Sequence, residues 1–150
     1  MKTDASSAPR ILLVDDNRDG LTVRRLLLEE LGCQVHVAGG GEEALQLFAA
    51  ETFDVVVTDY RMPRMNGVEL IGRIRECRPE MRIILLSGFV EPLGLTEQNT
   101  GANAVIAKSA TEAQQLTRCV KRLLNEPARR KPPARQTGKS RAAIHRNLAN

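Results

Sequence analysis

The run from Val55 to Asp59, four β-branched residues followed by an aspartate, constrains the fold more than any other part of the sequence. Such a run predicts a buried strand. It is followed by Met62-Pro63 and Asn66-Gly67, which are typical of loops and turns, so the strand must end at the aspartate. In an open α/β sheet, ligands bind beside the carboxyl ends of the strands. Asp59 is therefore a candidate reactive group at the ligand-binding edge.

Further runs have the composition of strands, and the segments between them have apolar residues at helical spacing. Strands and helices that alternate in this way form layered α/β folds. We therefore predict an α/β fold with a single doubly wound sheet of five parallel strands and helices on both faces. The other strands are predicted at residues 11–14, 34–38, 83–86 and 104–107, and the helices at residues 20–31, after 39–41, from 66 to before 79, weakly within 89–100, and at 111–125.

The first predicted helix has a clear apolar pattern. Asn17 precedes it and can cap its first turn. Four apolar side chains then recur at spacings that place residues on one face of a helix. We predict that these side chains face the core: Val23, Leu27, Leu28 and Leu31.

Polar side chains follow the other predicted strands at the same edge of the sheet. Asp15 and Asp16 come after the first strand, Ser87 after the fourth and Lys108 after the fifth, so we expect them to converge with Asp59. Clustered carboxylates either have raised pKa values or recruit a cation, and an all-oxygen donor set favours Mg²⁺ as that cation. The pattern predicts that Asp59 attacks a phosphodonor and becomes an aspartyl phosphate. Lys108 and Ser87 would then contact the phosphoryl group.

The charged residues are unevenly distributed along the chain. Residues 1–125 contain 15 Lys and Arg against 17 Asp and Glu, a net charge of −2, and residues 126–150 contain 7 against 1, a net charge of +6, which gives +4 in total. We predict a flexible leader at 1–9, a folded domain at 10–125 and a basic, disordered tail at 126–150. The sequence shows no secretory signal and no apolar run of ~18 residues, so we expect a cytoplasmic protein that does not contact the membrane.

Four motifs occur in order over residues 10–125: the pair Asp15-Asp16, the run Asp59-x-x-Met62-Pro63-x-Met65-Asn66-Gly67, the pair Ser87-Gly88, and Lys108. As a set they resemble the motifs of response-regulator receiver domains. These domains are the flavodoxin-like phosphoacceptor modules of two-component signalling. The resemblance implies a phosphoryl donor that is a sensor histidine kinase or a phosphotransfer protein.

The resemblance also implies a role for each motif. Asp59 is similar to the family's phosphoacceptor, Ser87 to its switch hydroxyl and Lys108 to its phosphate-contacting lysine. The implied Mg²⁺ ligands are oxygen atoms from the same edge of the sheet: Asp16, Asp59, the main-chain carbonyl of Arg61 and, through a water molecule, Asp15.

Two positions depart from the family's usual pattern. Ser109 follows Lys108, where the family usually has a proline after a cis peptide bond. Val105 stands where the family usually has Tyr or Phe. In the family, that aromatic side chain turns inward together with the switch hydroxyl when the domain is phosphorylated. Together with the weakly predicted fourth helix, the two departures indicate an altered output surface.

We expect a phosphorylation-dependent switch rather than an enzyme, acting through an output protein whose identity is open or through a homodimer. The tail is too short for a helix-turn-helix domain, and it has no aromatic residues to stack on bases, so nucleic-acid binding and a DNA-binding domain are not expected. An alternative is an interaction module that is indifferent to phosphorylation and uses the receiver fold and the basic tail. A flavodoxin-like cofactor protein is a weaker alternative, because no Gly/Thr-rich phosphate loop follows the first strand. A phosphatase with a first-strand nucleophile is also weaker, because the sequence from Asp15 to Arg18 lacks D-x-D spacing.

Overall fold

Strands and helices alternate along the chain between Arg10 and Asn125. The computed structural model describes residues 8–88 and 93–127. The strands are β1 (Arg10–Val14), β2 (Gln34–Ala38), β3 (Val55–Asp59), β4 (Arg82–Ser87) and β5 (Ala104–Ala107). The helices are α1 (Arg18–Glu30), α2 (Gly41–Ala50), α3 (Gly67–Cys77), α4 (Glu97–Thr100) and α5 (Glu112–Asn125).

The described residues form one parallel sheet with the strand order β2-β1-β3-β4-β5. The predicted doubly wound fold is therefore confirmed. After β2 the chain crosses back over β1 to form β3, and ligand clefts of open α/β sheets form at such a switch point. Val14 of β1 pairs with Thr58 of β3, so the next residues, Asp15 and Asp59, lie side by side at this position.

Alternate residues of the strands face two separate hydrophobic layers, as the period of two in a strand requires. In β1, Ile11 and Leu13 pack in the layer that contains residues of α1 and α5, whereas Leu12 and Val14 pack in the layer formed with α2 and α3. All five residues of β3 are buried. Helices on both faces explain why β3 begins with three consecutive valines rather than with alternating apolar and polar residues.

Helix α1 differs from its predicted pattern at one position. Leu28 is fully buried, and Leu27 and Leu31 pack against the same layer, as predicted. Val23, however, is 65% exposed. The position one turn before Leu28 on the same helix face is Arg24, because residues four apart lie above one another. The Arg24 side chain is only 11% exposed, so the inward residue in this turn is Arg24, and the prediction for Val23 is wrong.

Asparagine caps begin the helices that follow β1 and β3. The Asn17 side chain accepts a hydrogen bond from the Gly20 amide at 2.8 Å. The Asn66 side chain accepts one from the Glu69 amide at 2.9 Å, and the Glu69 carboxylate accepts one from the Asn66 amide at 2.9 Å. Such reciprocal bonds satisfy amides that a helix start leaves unpaired. The two capping residues therefore fix the chain in the loops that follow Asp15 and Asp59.

Some predictions lie at the limits of the described residues. The weak helix predicted within 89–100 corresponds in part to α4, while residues 89–92 lie outside the described residues. Residues 1–7 of the predicted leader and residues 128–150 of the predicted tail also lie outside them, so the division into three segments stays a prediction. Within the described ranges, no helix is long and apolar enough to span a bilayer.

Candidate functional site

Three carboxylates meet at the switch point of the sheet. Asp15 directly follows β1, Asp16 is the next residue, and Asp59 ends β3. One carboxylate oxygen from each of them lies within 4.8 Å of the others. Asp15 and Asp59 are 2% and 4% exposed, whereas Asp16 is exposed. The structure thus brings together the three acids that the sequence placed at one edge of the sheet.

The main chain around Asp59 is held from two sides. The Tyr60 amide donates to the Leu86 carbonyl at 2.8 Å, and the Gly67 amide donates to the Tyr60 carbonyl at 2.8 Å. Helix α3 begins so close to this turn that a Cβ atom on Gly67 would lie 2.4 Å from the Asp59 carbonyl oxygen. The close approach between α3 and the end of β3 therefore requires a glycine at position 67.

Lys108 follows β5 and reaches across β4 to the acid cluster. Its amide donates to the Ser87 carbonyl at 3.0 Å, which fixes the backbone beside the last residue of β4. Its ammonium group forms an ion pair with Asp59 Oδ1. Ser87 is 1% exposed, and its position at the end of β4 places it between β3 and β5. The two residues occupy the edge positions that the sequence predicted.

The six predicted site residues line a single cavity of about 540 Å³. Its wall also includes Gly88, where an added Cβ would meet no atom within 4 Å. The space beside Ser87 is therefore open to an incoming group. The predicted residues that line the cavity are Asp15, Asp16, Asp59, Arg61, Ser87 and Lys108.

Burial raises the pKa of the Asp59 carboxyl group above its ordinary value. The ion pair with Lys108 lowers this pKa, the Asp15 carboxylate raises it, and the net direction is upward. The folded state thus holds an Asp59 proton to higher pH than the unfolded chain does. The sign follows from linkage: this carboxyl group favours folding below the unfolded-state pKa, and that contribution is lost as the pH rises through the folded-state value.

We expect Asp59→Asn to raise the melting temperature at pH 7, in the absence of metal, by about 2–5 °C, which corresponds to about 1 kcal/mol. The amide removes a buried negative charge, and Lys108, whose side chain is 35% exposed, can be solvated by water. The difference should vanish near pH 3, where the carboxyl group of the wild type is neutral. Thermal denaturation of both proteins at the two pH values measures it.

Asp19→Asn is the matched control, because it removes an equal charge from an exposed position in the first turn of α1. A carboxylate there interacts favourably with the helix dipole, so its loss should leave the melting temperature unchanged or slightly lower. A lower melting temperature for Asp59→Asn at pH 7 would contradict the expected cost of burying the Asp59 charge.

An arginine that the sequence interpretation missed completes the cleft. Arg24 Nη1 donates to Asp15 Oδ2 at 2.9 Å. The same guanidinium group donates to Glu112, the first residue of α5, at 2.6 and 3.3 Å. Asp15 Oδ1 accepts from the Asn17 amide at 3.0 Å, so both Asp15 oxygens have partners within the fold. Gly20, one turn before Arg24, leaves space for its side chain, but a glycine in the sequence does not by itself indicate this contact.

The two departures from the family pattern lie on β5 and in the loop that follows it. Val105 is half-buried and packs against the layer formed with α2 and α3. The Ser109 carbonyl accepts from the Glu112 amide at 3.1 Å, and the Ser109 hydroxyl accepts from the Thr111 amide at 3.3 Å. Ser109 thus shapes the turn between Lys108 and α5.

The cleft has the donor chemistry of a site for a hard divalent cation. The groups that could ligate a metal are carboxylate and carbonyl oxygens, and no His or Cys is among the residues that line the cavity. Mg²⁺ is bound in proteins by one or two carboxylates together with water and phosphate oxygens. The residues present therefore fit Mg²⁺.

The fold and the cleft define a class: a doubly wound α/β protein with a carboxylate cluster and a lysine at the switch point. The model of the response regulator receiver domain family matches residues 11–121 of the chain. The chain therefore belongs to this family, the receiver domains of two-component systems. The resemblance found in the sequence motifs is confirmed.

Curated relatives carry the same domain in longer proteins. The sensory/regulatory protein RpfC of Xanthomonas campestris is 33% identical over 112 residues, which are 71% of this chain and 15% of RpfC. A response regulator receiver protein of Anaeromyxobacter is 36% identical over 100 residues, which are 66% of this chain and 42% of that protein. The chain thus spans less than half the length of either relative.

Solved structures share the fold over most of the chain. Response regulator TrrA of Thermotoga maritima, solved in complex with Mg²⁺-BeF, is 32% identical with a TM-score of 0.70, and the match covers 77% of this chain and 98% of TrrA. A receiver domain protein of Clostridium thermocellum is 30% identical with a TM-score of 0.70, and the match covers 78% and 94% of the two chains.

Proposed function

We propose that this chain is a phosphorylation switch in which Asp59 accepts a phosphoryl group from a histidine kinase or a phosphotransfer protein. The observation that carries the proposal is the position of the Asp59 carboxylate. It is buried beside Asp15 and Asp16, is paired with Lys108, and lines an open cavity. A nucleophilic carboxylate needs such a site, in which a phosphoryl group can approach and charge can be neutralised.

In the proposed reaction, one Asp59 carboxylate oxygen forms a bond to phosphorus while the bond between phosphorus and the donor breaks. The donor leaves with the electron pair of that bond, and the product is an acyl phosphate on Asp59. Lys108, now paired with Asp59, would move its ammonium group to a phosphoryl oxygen. The Ser87 hydroxyl would donate a hydrogen bond to another phosphoryl oxygen.

The proposed metal ligands are Asp16, Asp59, the Arg61 carbonyl and, through water, Asp15, all of which belong to residues that line the cavity. A bound Mg²⁺ would neutralise part of the phosphoryl charge during transfer. TrrA, a structural neighbour solved in complex with Mg²⁺-BeF, supports the choice of Mg²⁺ as the metal. The chain would act as a switch rather than as an enzyme, because the phosphoryl group stays on its own side chain.

The proposed output is a contact with another protein or with a second copy of the chain. The acyl phosphate carries about −1.5 to −2 charges in place of the −1 charge of the carboxylate, so phosphorylation adds up to about one negative charge at one end of the sheet, beside the loops that lead into α3 and α5. A partner that binds the phosphorylated surface more tightly than the free surface would shift the population between two states. The name of RpfC, a sensory/regulatory protein, supports a phosphoryl donor that belongs to a sensory system. A cytoplasmic location stays a prediction.

The test is mass spectrometry of the intact protein and its peptides after incubation with acetyl phosphate, with and without Mg²⁺. We expect one phosphoryl adduct on wild type, located at Asp59, that requires Mg²⁺. Asp59→Asn should remain unlabelled. Asp54→Asn is the matched control, directly before the opposite end of β3. Among the hydrogen bonds described, its carboxylate accepts only from the Arg10 amide, so this variant should be labelled like wild type.

An unlabelled wild type, under conditions that label another receiver domain, would contradict the proposal. It would favour the interaction module that is indifferent to phosphorylation. A label on a residue other than Asp59 would contradict the assignment of the phosphoacceptor while leaving the class of reaction intact.

A further inference from the structure

Arg24 joins the acid cluster to helix α5. Its guanidinium group contacts Asp15 Oδ2 on one side, at 2.9 Å, and both Glu112 oxygens on the other, at 2.6 and 3.3 Å. The three side chains are 11%, 3% and 16% exposed, so the bridge is shielded from water. The proposed phosphorylation chemistry does not use Arg24, yet Arg24 places a permanent positive charge inside the cleft.

Helix α1 is built to admit this side chain. A Cβ atom on Gly20 would lie 2.8 Å from Arg24 Nη1 and 2.9 Å from Asp15 Oδ2. Glycine is unfavourable within a helix, so its presence one turn before Arg24 is explained by the space that the guanidinium group needs. A methyl group at position 20 would therefore force a shift of these side-chain ends, and the guanidinium group at the end of the long Arg24 side chain is the one that can move.

Arg24 and a divalent metal require the same carboxylate. Asp15 Oδ1 already accepts from the Asn17 amide, and Asp15 Oδ2 accepts from Arg24. A second positive charge at the acid cluster would be repelled by the guanidinium group and would attract the carboxylate that holds it. Glu112 gives Arg24 a second carboxylate partner with two acceptor oxygens. Arg24 can therefore release Asp15 and remain paired with a carboxylate at the start of α5.

We propose that Arg24 is a resident cation that competes with Mg²⁺ for Asp15 and transmits metal binding to the start of α5 through Glu112. This inference rests on the proposed function, because it assumes a metal site at Asp15, Asp16 and Asp59. The inference adds a set of contacts, from Asp15 through Arg24 to Glu112, by which metal binding could affect α5. Glu112 lies four residues after Lys108, so α5 would be tied to the acid cluster by two charged contacts, one to Asp59 and one to Asp15.

The test is isothermal titration calorimetry with MgCl₂ on the unphosphorylated full chain. We expect Arg24→Gln to lower the Kd for Mg²⁺ about tenfold, because it removes a charge that opposes the metal. Gly20→Ala should also lower the Kd, since it displaces Arg24 without changing the net charge. Glu112→Gln should raise the Kd about threefold or more, because Arg24 is then left with Asp15 as its one carboxylate partner.

Arg25→Gln is the control, because it removes an equal charge from an exposed pair with Glu29. It should change the Kd for Mg²⁺ by less than about twofold.

Amide hydrogen exchange provides a second measurement. It should not respond to Mg²⁺ near α5 if Arg24 and Glu112 only stabilise the fold. Addition of Mg²⁺ to wild type should change the exchange of residues 109–116, and Glu112→Gln should abolish that change. Circular dichroism confirms that each variant is folded before titration. Gly20→Ala keeps every charged group, so it tests the contact itself if Arg24→Gln proves unstable.

The opposite signs expected for Arg24→Gln and Glu112→Gln make the outcome decisive. Unchanged or weaker Mg²⁺ binding by both Arg24→Gln and Gly20→Ala would overturn the role of Arg24. If wild type is still labelled at Asp59 in a Mg²⁺-dependent way, the proposed function survives that result. If wild type neither binds Mg²⁺ nor is labelled at Asp59, both the proposed function and the proposed competition between Arg24 and Mg²⁺ are contradicted.

Discussion

We expect Arg75→Met to lower the free energy of unfolding by about 3 kcal/mol and the melting temperature by about 10–15 °C. Arg75 is only 4% exposed and lies on the side of α3 that faces the core. Its guanidinium group donates to the carbonyls of Gly101, at 3.0 Å, and Pro79, at 2.9 Å, and also to the carbonyl of Met81. Methionine fills the space but leaves these buried acceptors without a donor, which costs about 1–3 kcal/mol for each group.

The same guanidinium group joins three parts of the chain. It donates to Asn103 Oδ1 at 2.8 Å, and that oxygen also accepts from the Ile83 amide at 2.8 Å. The end of α3, the start of β4 and the loop before β5 therefore depend on one side chain. Burial lowers the pKa of Arg75 to about 10, which still leaves the group charged at pH 7. A charge at this depth is tolerated because its hydrogen bonds are satisfied.

Chemical denaturation of Arg75→Met and Arg73→Met measures the effect. Arg73 lies on the exposed side of the same helix, so its substitution should change the free energy of unfolding by no more than about 0.5 kcal/mol. The Arg75 network lies at the amino ends of β4 and β5, away from Asp59. The folded fraction of Arg75→Met should therefore still accept a phosphoryl group. A loss of stability below about 1 kcal/mol would show that water or neighbouring groups replace the guanidinium donors.

The sheet could be predicted from the sequence because its strands are buried on both faces. A parallel strand covered on both sides reads as a continuous apolar run, which is a strong local signal. The run from Val55 to Asp59 is such a case, and β3 ends at the predicted residue. The convergence of Asp15, Asp59 and Lys108 also followed from local information, since parallel strands bring their carboxyl ends to one edge.

The buried arginines could not be predicted, because each is defined by distant partners. Arg24 contacts Glu112, 88 residues away, and Arg75 contacts Gly101 and Asn103, 26 and 28 residues away. Helical periodicity assigns apolar residues to the inward face, so it favoured Val23 over its neighbour Arg24. Only the three-dimensional arrangement shows that the inward position faces a carboxylate on each side. Charged residues are seldom fully buried unless they are paired, and the pairing is a property of the fold.

Among substitutions that keep every proposed site residue, Gly67→Ala should have the largest effect on the site. We expect it to slow phosphorylation of Asp59 by about 10–100-fold, since displacements of about 1 Å near reacting groups have effects of this size. A Cβ atom at position 67 would lie 2.4 Å from the Asp59 carbonyl oxygen, 2.7 Å from Leu85 Cδ1 and 3.0 Å from Tyr60 Cα. Two of these atoms belong to the backbone, so the clash cannot be relieved by a side-chain rotation. Either α3 or the end of β3 must move, which should also cost about 2–4 kcal/mol of stability.

Gly72→Ala in the same helix separates this steric effect from the intrinsic preference of helices for alanine. A Cβ atom on Gly72 would meet no atom within 4 Å, so the substitution should stabilise the protein by up to about 1 kcal/mol. Its rate of labelling by acetyl phosphate should equal that of wild type. The two glycine variants are therefore expected to shift the melting temperature in opposite directions. Labelling of Gly67→Ala at the wild-type rate would show that the start of α3 does not position Asp59, and the loop between Asp59 and Gly67 would then have to absorb the added methyl group.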